Sequence, residues 1–366
     1  MTTSPPRPSP PSTGLNRRAL RIGPFSWTWQ PRPLLVAATL LVVLAAAFVR
    51  ALLAFDDYPM GVDTVLRTLV GGGDSGSEFV LFELRMPRAL TGLLVGAALG
   101  LAGAIMQGIT RNPLASPDTL GITWGAAVGA VAVIVLGGSA GQVGGLVSEV
   151  GVPAGALVGG LGAAVVVFGL AWQSGVESTR LLLVGIATSL FCANLVYWGL
   201  SLTNIQDAAR AQTWLTGSLH AADWDRAVPA ALSLLVLLPT ALITARVIGA
   251  LGLGDDTARG LGVRVNTSRL VLLLISALLV CVATAATGPI TFVALASPQM
   301  ALRLCRSSHP PLVTSALTGA ALTLVADQVA AGLFAPTQLP VGVVTSVLGA
   351  PYLMYLIIRR HREARL

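Results

Sequence analysis

Lysine is absent from this chain, and all 23 of its basic residues are arginine. A Walker A loop needs the lysine of its G-x-x-x-x-G-K-[ST] sequence to reach the phosphates of a nucleotide. This polypeptide therefore does not hydrolyse ATP by that route. Any ATPase that energises it must be a separate subunit.

Charged and aromatic residues are scarce as well. Only 11% of the 366 residues are charged and 5% are aromatic, whereas 54% are hydrophobic. A soluble domain carries about 25% charged residues, so the composition predicts a polytopic membrane protein. The apolar runs are continuous, which favours helices over the alternating strands of a barrel. The expected fold class is all-α.

Histidine and cysteine are too few and too scattered for local metal chemistry. His220, His309 and His361 lie far apart in predicted loops or the tail, and no H-E-x-x-H helix occurs. The three cysteines give no spaced extracellular pair, so no disulfide framework is expected. The sequence predicts no metal site, no catalytic residue and no cofactor.

Ten apolar runs follow a polar tail. They lie at residues 34–54, 88–109, 118–137, 153–172, 179–202, 228–249, 269–287, 290–305, 312–332 and 341–358, and the eighth is short. Most match the roughly 20 residues that cross a bilayer core. The tail at 1–33 is rich in proline near residues 5–11, which predicts disorder. It has no apolar core of a signal peptide, and residues 361–366 form a short C-terminal tail.

The arginines predict the orientation of the chain, because positive charge is retained on the cytoplasmic side. With the N-terminus inside, only six arginines face outward, at positions 50, 67, 85, 88, 210 and 226, and 17 of the 23 lie inside. An even number of spans then places both termini in the cytoplasm. This topology also explains the net charge of +7, so nucleic-acid binding is not expected.

Residues 85–121 combine an arginine pair, a small-residue helix and an Asn-Pro turn. Arg85 and Arg88 are three apart and can project to one side of a helix, where guanidinium groups suit carboxylate recognition. Snorkelling at the membrane edge is the alternative. Between them and the turn, glycines at 92, 96, 100 and 103 form a strip that favours close helix packing. Asn112 precedes Pro113 and is biased away from helix, which leaves its amide to line an opening or simply to form a turn.

Residues 249–269, GALGLGDDTARGLGVRVNTSR, form the longest internal segment on the predicted cytoplasmic side. Their glycines divide the segment into pieces that could each form a turn or two of helix. Asp255 and Asp256 suit a helix start, where the helix dipole favours negative charge. A docking knob and a solvated connector are both consistent with this pattern.

Two further blocks break the C-terminal half. In GPITFVALASP, which begins at Gly288, Pro289 and Pro298 bracket an apolar stretch, so we expect helix breaks near both. Pro340 and Gly342 predict another turn before the last run. Asp327 lies inside the ninth run, where an acid is a functional hypothesis by default. Either it is a structural acid satisfied by neighbouring helix ends, or it carries protons.

These motifs resemble the FecCD family, the permeases of ABC importers for iron-siderophores, haem and vitamin B12. The matching motifs are R-x-P-R at 85–88, R-N-P-L-A-x-P at 111–117, the A-R-x-L-G-V of residues 258–263, and G-P-I-x-F at 288–292. The wording SPDTLG and GDDTARGLGV is similar to the ferric enterobactin type. The resemblance covers residues from about 34 to 360 and implies a ten-helix permease of the type II importer fold in a bacterial cytoplasmic membrane.

The resemblance also implies partners and residue roles. The partners are a second permease subunit (a heterodimer rather than a homodimer), two ATPase subunits, an extracytoplasmic binding protein and an iron-siderophore of catecholate type. Arg85 and Arg88 would receive glutamates of the binding protein, and Asn112 and Pro113 would form part of a cytoplasmic gate. The ATPase-coupling residues would be Gly254, Asp255, Asp256, Ala258, Arg259 and Gly262; the structural turns would be Gly288, Pro289, Pro298, Pro340 and Gly342.

The sequence departs from the family pattern at two positions, and it is consistent with two other functions. Gln299 stands where the family has histidine, and Ala331 where some relatives have an arginine facing the binding protein. A haem or cobalamin permease would fit the same motifs. A proton-coupled secondary transporter would rest on Asp327 alone.

Overall fold

The computed structural model describes residues 19–22, 25–28, 31–53, 60–139, 151–172, 178–333 and 338–363. In chain order its helices are α1 (Pro31–Leu53), α2 (Val62–Leu69), α3 (Ser75–Phe79), α4 (Met86–Thr110), α5 (Ile122–Ser139), α6 (Gly151–Ala171), α7 (Ser178–Ser201), α8 (Ile205–Leu215), α9 (Trp224–Ile243), α10 (Ala245–Gly252), α11 (Asp255–Gly260), α12 (Val265–Thr287), α13 (Val293–Cys305), α14 (Leu312–Gly332) and α15 (Val341–Glu363). A π-helical stretch, Val80–Arg85, joins α3 to α4, and a 3-10 turn, Pro117–Leu120, precedes α5.

Ten helices lie at the ten predicted apolar runs, namely α1, α4 to α7, α9 and α12 to α15. Within the described ranges, seven helical stretches are long and apolar enough to cross a membrane by length and composition, and α5 and α15 contain shorter apolar helices. The all-helical polytopic prediction is therefore confirmed. Part of the tail predicted to be disordered forms a short antiparallel hairpin of β1 (Ala19–Ile22) and β2 (Phe25–Thr28); its proline cluster lies outside the described residues.

Helix α4 is the central element, since most of its residues are buried. It packs along α14, α12 and α13, with α14 the most extensive neighbour. A Cβ atom added to Gly319 of α14 would overlap the carbonyl oxygen of Gly96, so the two backbones touch there. The predicted glycine strip is thus confirmed as a close-packing surface. Gly129 of α5 and Gly155 of α6 approach each other in the same way.

The helix break expected at Pro298 is absent, and that prediction was wrong. Helix α13 continues from Val293 to Cys305 through the proline. Because Pro298 has no N–H, the carbonyl of Ala294 loses its usual helical donor. Gly103 of α4 lies directly against that carbonyl, where any larger residue would overlap it. Close packing of a Cα–H group against this oxygen partly replaces the missing contact.

A second difference concerns the sixth predicted run, which was expected to continue to residue 249. Helix α9 ends at Ile243, and α10 starts after Thr244. Pro239 removes one hydrogen bond from the last turns of α9. The Thr244 hydroxyl lies 2.8 Å from the carbonyl of Ala241 and donates to it, which competes with regular helix geometry.

Candidate functional site

The segment at 249–269 folds into the end of α10, all of α11 and the start of α12. Gly254 precedes α11 with φ +113° and Gly262 follows it with φ +82°, backbone conformations that favour glycine. Asp255 and Asp256 occupy the first turn of α11, as predicted. The segment is therefore a short helix held between two glycine turns.

One residue anchors helix α11 in the protein, and most of its other residues are exposed to solvent. Ala258 is fully buried, whereas Asp256 and Arg259 are exposed and form an ion pair of 3.1 Å within the helix. Leu253 and Leu261 flank α11 and are 60% and 63% exposed. Neither leucine was predicted from the sequence, where the available signal was a single apolar residue beside each glycine turn.

Asp255 connects α11 to two other helices. Its Oδ1 atom accepts hydrogen bonds from Nη2 of Arg111, at the end of α4, and from Nη2 of Arg269, 2.8 Å away in α12. Arg111 also donates from Nε to the carbonyl of Leu251 in α10, at 2.8 Å. Arg269 is buried, while Asp255 is about one-third exposed. One carboxylate oxygen thus joins the ends of three helices.

Asn112 follows Arg111 in a tight turn after α4. Arg111 itself closes the helix in the left-handed conformation, with φ 51°. The Asn112 side-chain oxygen accepts a hydrogen bond from the backbone N–H of Leu114 at 3.0 Å. The oxygen of this amide therefore caps its own turn, which is one of the two roles predicted for Asn112. Pro113 is half-buried beside it, and the gate role stays a prediction.

Arg88 forms an ion pair with Asp327 at the opposite end of α4. Its Nε and Nη2 atoms lie 3.1 and 3.0 Å from the two oxygens of Asp327, and Nη1 donates to Oε1 of Gln338 at 3.1 Å. The side chains of Arg88 and Asp327 are 12% and 3% exposed. The Asp327 carboxylate is therefore held by an arginine, and not by helix ends as expected.

Arg85 also faces the protein. It is buried, and its Nη1 donates to the carbonyl of Leu52 at the end of α1, at 2.7 Å. The π-helical stretch before α4 turns this side chain toward α1. Pro87 cannot donate to the carbonyl four residues before it, which fits a wider turn at this place. Both predicted docking arginines hold intramolecular contacts here, and docking stays a prediction.

Four of the five residues predicted to form structural turns lie at two helix breaks, before α13 and at the start of α15. Gly288 has φ +73°, and a Cβ atom there would overlap the carbonyl oxygen of Trp214. The N–H of Gly342 donates to the carbonyl of Gly217 at 3.0 Å. Pro289 and Pro340 lie within these helix breaks. The breaks before α13 and α15 therefore pack on the turn that follows α8.

A cavity of about 110 Å³ lies beside these breaks. Its lining consists of Asp118, Thr123, Trp124, Ala127, Leu215, Pro289 and Thr291. Thr123 donates to Oδ1 of Asp118 at 2.7 Å. Non-helical backbone at membrane depth is tolerated where it is buried in protein or lines a water-filled cavity. The surface of this cavity is mostly apolar, and two of its polar residues, Asp118 and Thr123, bond to each other.

Gln299, the departure from the family's histidine, is a buried bridge between helices. Its Nε2 donates to Oε1 of Gln107 in α4 at 2.6 Å, and Nε2 of Gln107 donates to the carbonyl of Leu295 at 3.1 Å. Both amides are therefore partnered, and they fix α13 against α4.

The titratable side chains do not gather into a metal site in the part of the chain that the structure describes. No group of three His, Cys, Asp or Glu residues comes together there. The cysteines at 192, 281 and 305 are each free and buried. They pack as small apolar residues.

Comparison with known proteins identifies the family. The model of the FecCD transport family matches residues 39–359. The chain is similar to the ferric enterobactin transport system permease protein FepG of Escherichia coli K12, with 37% identity over 89% of this chain and 97% of that protein. It is equally similar, at 37% over 90% and 98%, to the iron(3+)-hydroxamate import system permease protein FhuG of Bacillus subtilis 168.

A solved structure matches in fold. It is a metal-chelate type ABC transporter in an inward-facing conformation, with a TM-score of 0.76 and 26% identity over 89% of this chain and 99% of that one. The family model covers nearly every described helix, and the likeness in fold extends over the same length. This chain therefore belongs to the FecCD transport family, and it is a membrane-embedded permease subunit of an ABC importer rather than an enzyme.

Proposed function

We propose that this permease moves an iron(III)-siderophore across a bacterial cytoplasmic membrane, with both termini in the cytoplasm. The observation that carries the proposal is family membership over residues 39–359 with relatives whose names specify ferric siderophores. Transport by such a subunit makes and breaks no bond in the substrate. The chain supplies a path whose opening alternates with the state of its partners.

The siderophore proposed is of the catecholate type. The local amino-acid sequences at residues 116–121 and 254–263, which resemble the ferric enterobactin type, support this choice. Overall identity does not discriminate, since the enterobactin and hydroxamate permeases are both 37% identical to this chain. Haem and cobalamin are the competing substrates within the family. We place the path for a whole chelate between this chain and a second permease subunit.

The exposed tip of α11 is the proposed contact with the ATPase subunit. Leu253 and Leu261 offer apolar anchors on either side of a charged helix, an arrangement that suits a protein interface with an apolar centre and polar rim. The opposite end of α4, at Arg85 and Arg88, would then receive the binding protein. A heterodimer of two permease chains completes the assembly.

A proton-coupled mechanism has less support from the geometry. Asp327 is the acid within the ninth helix, and both of its oxygens accept hydrogen bonds from Arg88. One guanidinium therefore occupies both oxygens of this acid, an ion pair between helices that needs no proton transfer. ATP is the energy source that fits this arrangement.

The test is uptake of radiolabelled iron in a strain that lacks this gene. Iron is supplied as a catecholate siderophore and as a hydroxamate siderophore, with labelled haem and cobalamin in parallel. We expect selective loss of catecholate uptake, which the wild-type gene restores and an ATPase-dead partner does not. A strain complemented with Arg226→Gln, which changes an ion pair with Asp223 at the start of α9, is the control.

Each outcome decides part of the proposal. Loss of hydroxamate uptake alone would overturn the catecholate assignment and leave the siderophore class intact. Loss of haem or cobalamin uptake alone would overturn the siderophore class. Uptake that continues with the ATPase-dead partner would overturn the ATP-driven mechanism.

A further inference from the structure

We propose that Asp255 is the joint through which movement of α11 reaches the end of α4, and that Arg111 and Arg269 are the positioning residues of that joint. The inference rests on the proposed function, because it assumes that α11 contacts the ATPase subunit. It adds the residues that carry motion from that contact into the membrane-embedded helices.

The first observation is that the charges converge on one atom. Nη2 of Arg111 and Nη2 of Arg269 both donate to Oδ1 of Asp255. Arg111 caps the C-terminal end of the central helix directly after Thr110, and Arg269 lies one turn into α12. Asp255 is the first residue of α11. A shift of α11 must therefore move both arginines with it or break both contacts.

The second observation is the contrast with the neighbouring pair. Asp256 and Arg259 are 99% and 61% exposed, and their contact stays within α11. Such an exposed pair adds little to stability and transmits nothing between helices. In the Asp255 cluster, the Arg269 side chain is only 6% exposed and spans two elements. Removal of the Asp255 carboxylate would leave the buried Arg269 guanidinium without this acid, and loss of one partner of a buried pair is strongly destabilising.

The third observation is that Arg111 is held on both sides. Its Nε donates to the carbonyl of Leu251 at the end of α10, 2.8 Å away. Ile248 of the same helix packs against Gly108 of α4. The end of α4 is therefore fixed to α10 through packing and to α11 through charge. The turn at Asn112 and Pro113 directly follows Arg111, so it moves whenever this end of α4 moves.

The experiment uses the assembled importer, with its partner permease, ATPase subunit and binding protein, reconstituted in liposomes. Iron uptake and phosphate release are measured together, which gives iron moved per ATP hydrolysed. The variants are Asp255→Asn, Arg111→Gln, their combination, and the conservative Arg111→Lys. Arg226→Gln is the control, because Arg226 pairs with Asp223 at the surface, remote from α11.

We expect Asp255→Asn and Arg111→Gln each to lower iron moved per ATP by about tenfold, within the usual range of coupling between two sites. The ATPase subunit should still copurify at the wild-type level. The combined variant should be no worse than either single variant, because both remove the same contact. Arg111→Lys should recover part of the loss, since it retains the charge but not the fork that reaches Leu251.

Three results would contradict the proposal that Asp255 transmits movement from α11 to α4. Wild-type coupling in Asp255→Asn would show that the contact carries no motion. Additive losses in the combined variant would show that the two residues act separately. Loss of the ATPase subunit on purification would assign Asp255 to docking. All three leave the proposed function intact, which fails only if the wild-type importer itself moves no iron-siderophore on adding ATP.

Discussion

Arg88 and Asp327 face each other across α4 and α14 in a two-point contact, with the Nε–Oδ2 and Nη2–Oδ1 distances at 3.1 and 3.0 Å. They are 239 residues apart in the chain. The pair closes one end of the central helix as the Asp255 cluster closes the other. In both places the charged groups pair between helices.

Breaking this pair from one side should cost stability. Asp327→Leu leaves the Arg88 guanidinium without its carboxylate, so we expect a loss of about 3 kcal/mol in the free energy of unfolding. Thermal unfolding of the purified subunit in detergent measures it. The combination of Asp327→Leu with Arg88→Met should recover most of the loss, since no unpaired charge remains. A combined variant as unstable as the single one would contradict this account.

Gly319→Ala should destabilise the packing of α14 on α4. The added methyl group would overlap the carbonyl oxygen of Gly96, and overpacking of this kind costs about 1–3 kcal/mol. Gly162→Ala is the matched control, because no atom lies within 4 Å of a Cβ at Gly162 in α6. That change should be neutral or stabilising by about 0.5 kcal/mol, since alanine favours helix. Equal effects of the two changes would argue against backbone contact at Gly96.

Leu261→Ser should weaken binding of the ATPase subunit. Leu261 is 63% exposed beside α11, and an apolar anchor at an interface contributes about 1–2 kcal/mol, or roughly five- to thirtyfold in affinity. Copurification of the ATPase subunit with tagged permease measures the change. Leu202→Ser, at an equally exposed leucine that follows α7, is the control and should bind normally. Normal binding by both variants would remove Leu261 from the interface.

Gln299→Leu should destabilise the subunit through Gln107. The Oε1 atom of Gln107 would lose its donor in a buried place, and an unsatisfied buried acceptor costs about 1–3 kcal/mol. The combination of Gln299→Leu with Gln107→Leu removes both polar groups and should be milder than the single change. Thermal unfolding in detergent again distinguishes the two outcomes. A smaller loss of stability in Gln299→Leu than in the combined variant would show that water replaces the lost donor.

The sequence predicted the helices well, because most of the apolar runs are long and bounded by charge or glycine. It also located the short helix at Asp255, whose two glycine turns are local features. It could not predict the partners of Arg88 or Arg111, since those contacts join residues more than 100 positions apart. Pairing of this kind depends on how helices pack, which the hydropathy pattern does not specify.

The two wrong helix boundaries have a common cause. Proline was expected to end a helix at Pro298, but a glycine on the neighbouring helix accommodates the carbonyl that Pro298 leaves open. At Thr244 no proline or glycine stands at the break itself; Pro239 weakens the turns before it, and the Thr244 hydroxyl bonds to the helix carbonyls. In both cases the helix boundary depends on which group lies near a backbone carbonyl, and not on the helix preference of a single residue.

The three cysteines have a practical consequence. Because each thiol is buried within the folded chain, we expect the native cysteines not to react with thiol-specific reporters. A cysteine introduced at Leu261 or at Arg226 would carry a fluorophore or spin label without prior removal of native residues. Labelling of intact cells with a membrane-impermeant maleimide would then reveal which face of the membrane each position occupies, and so read the orientation of the whole helix bundle directly.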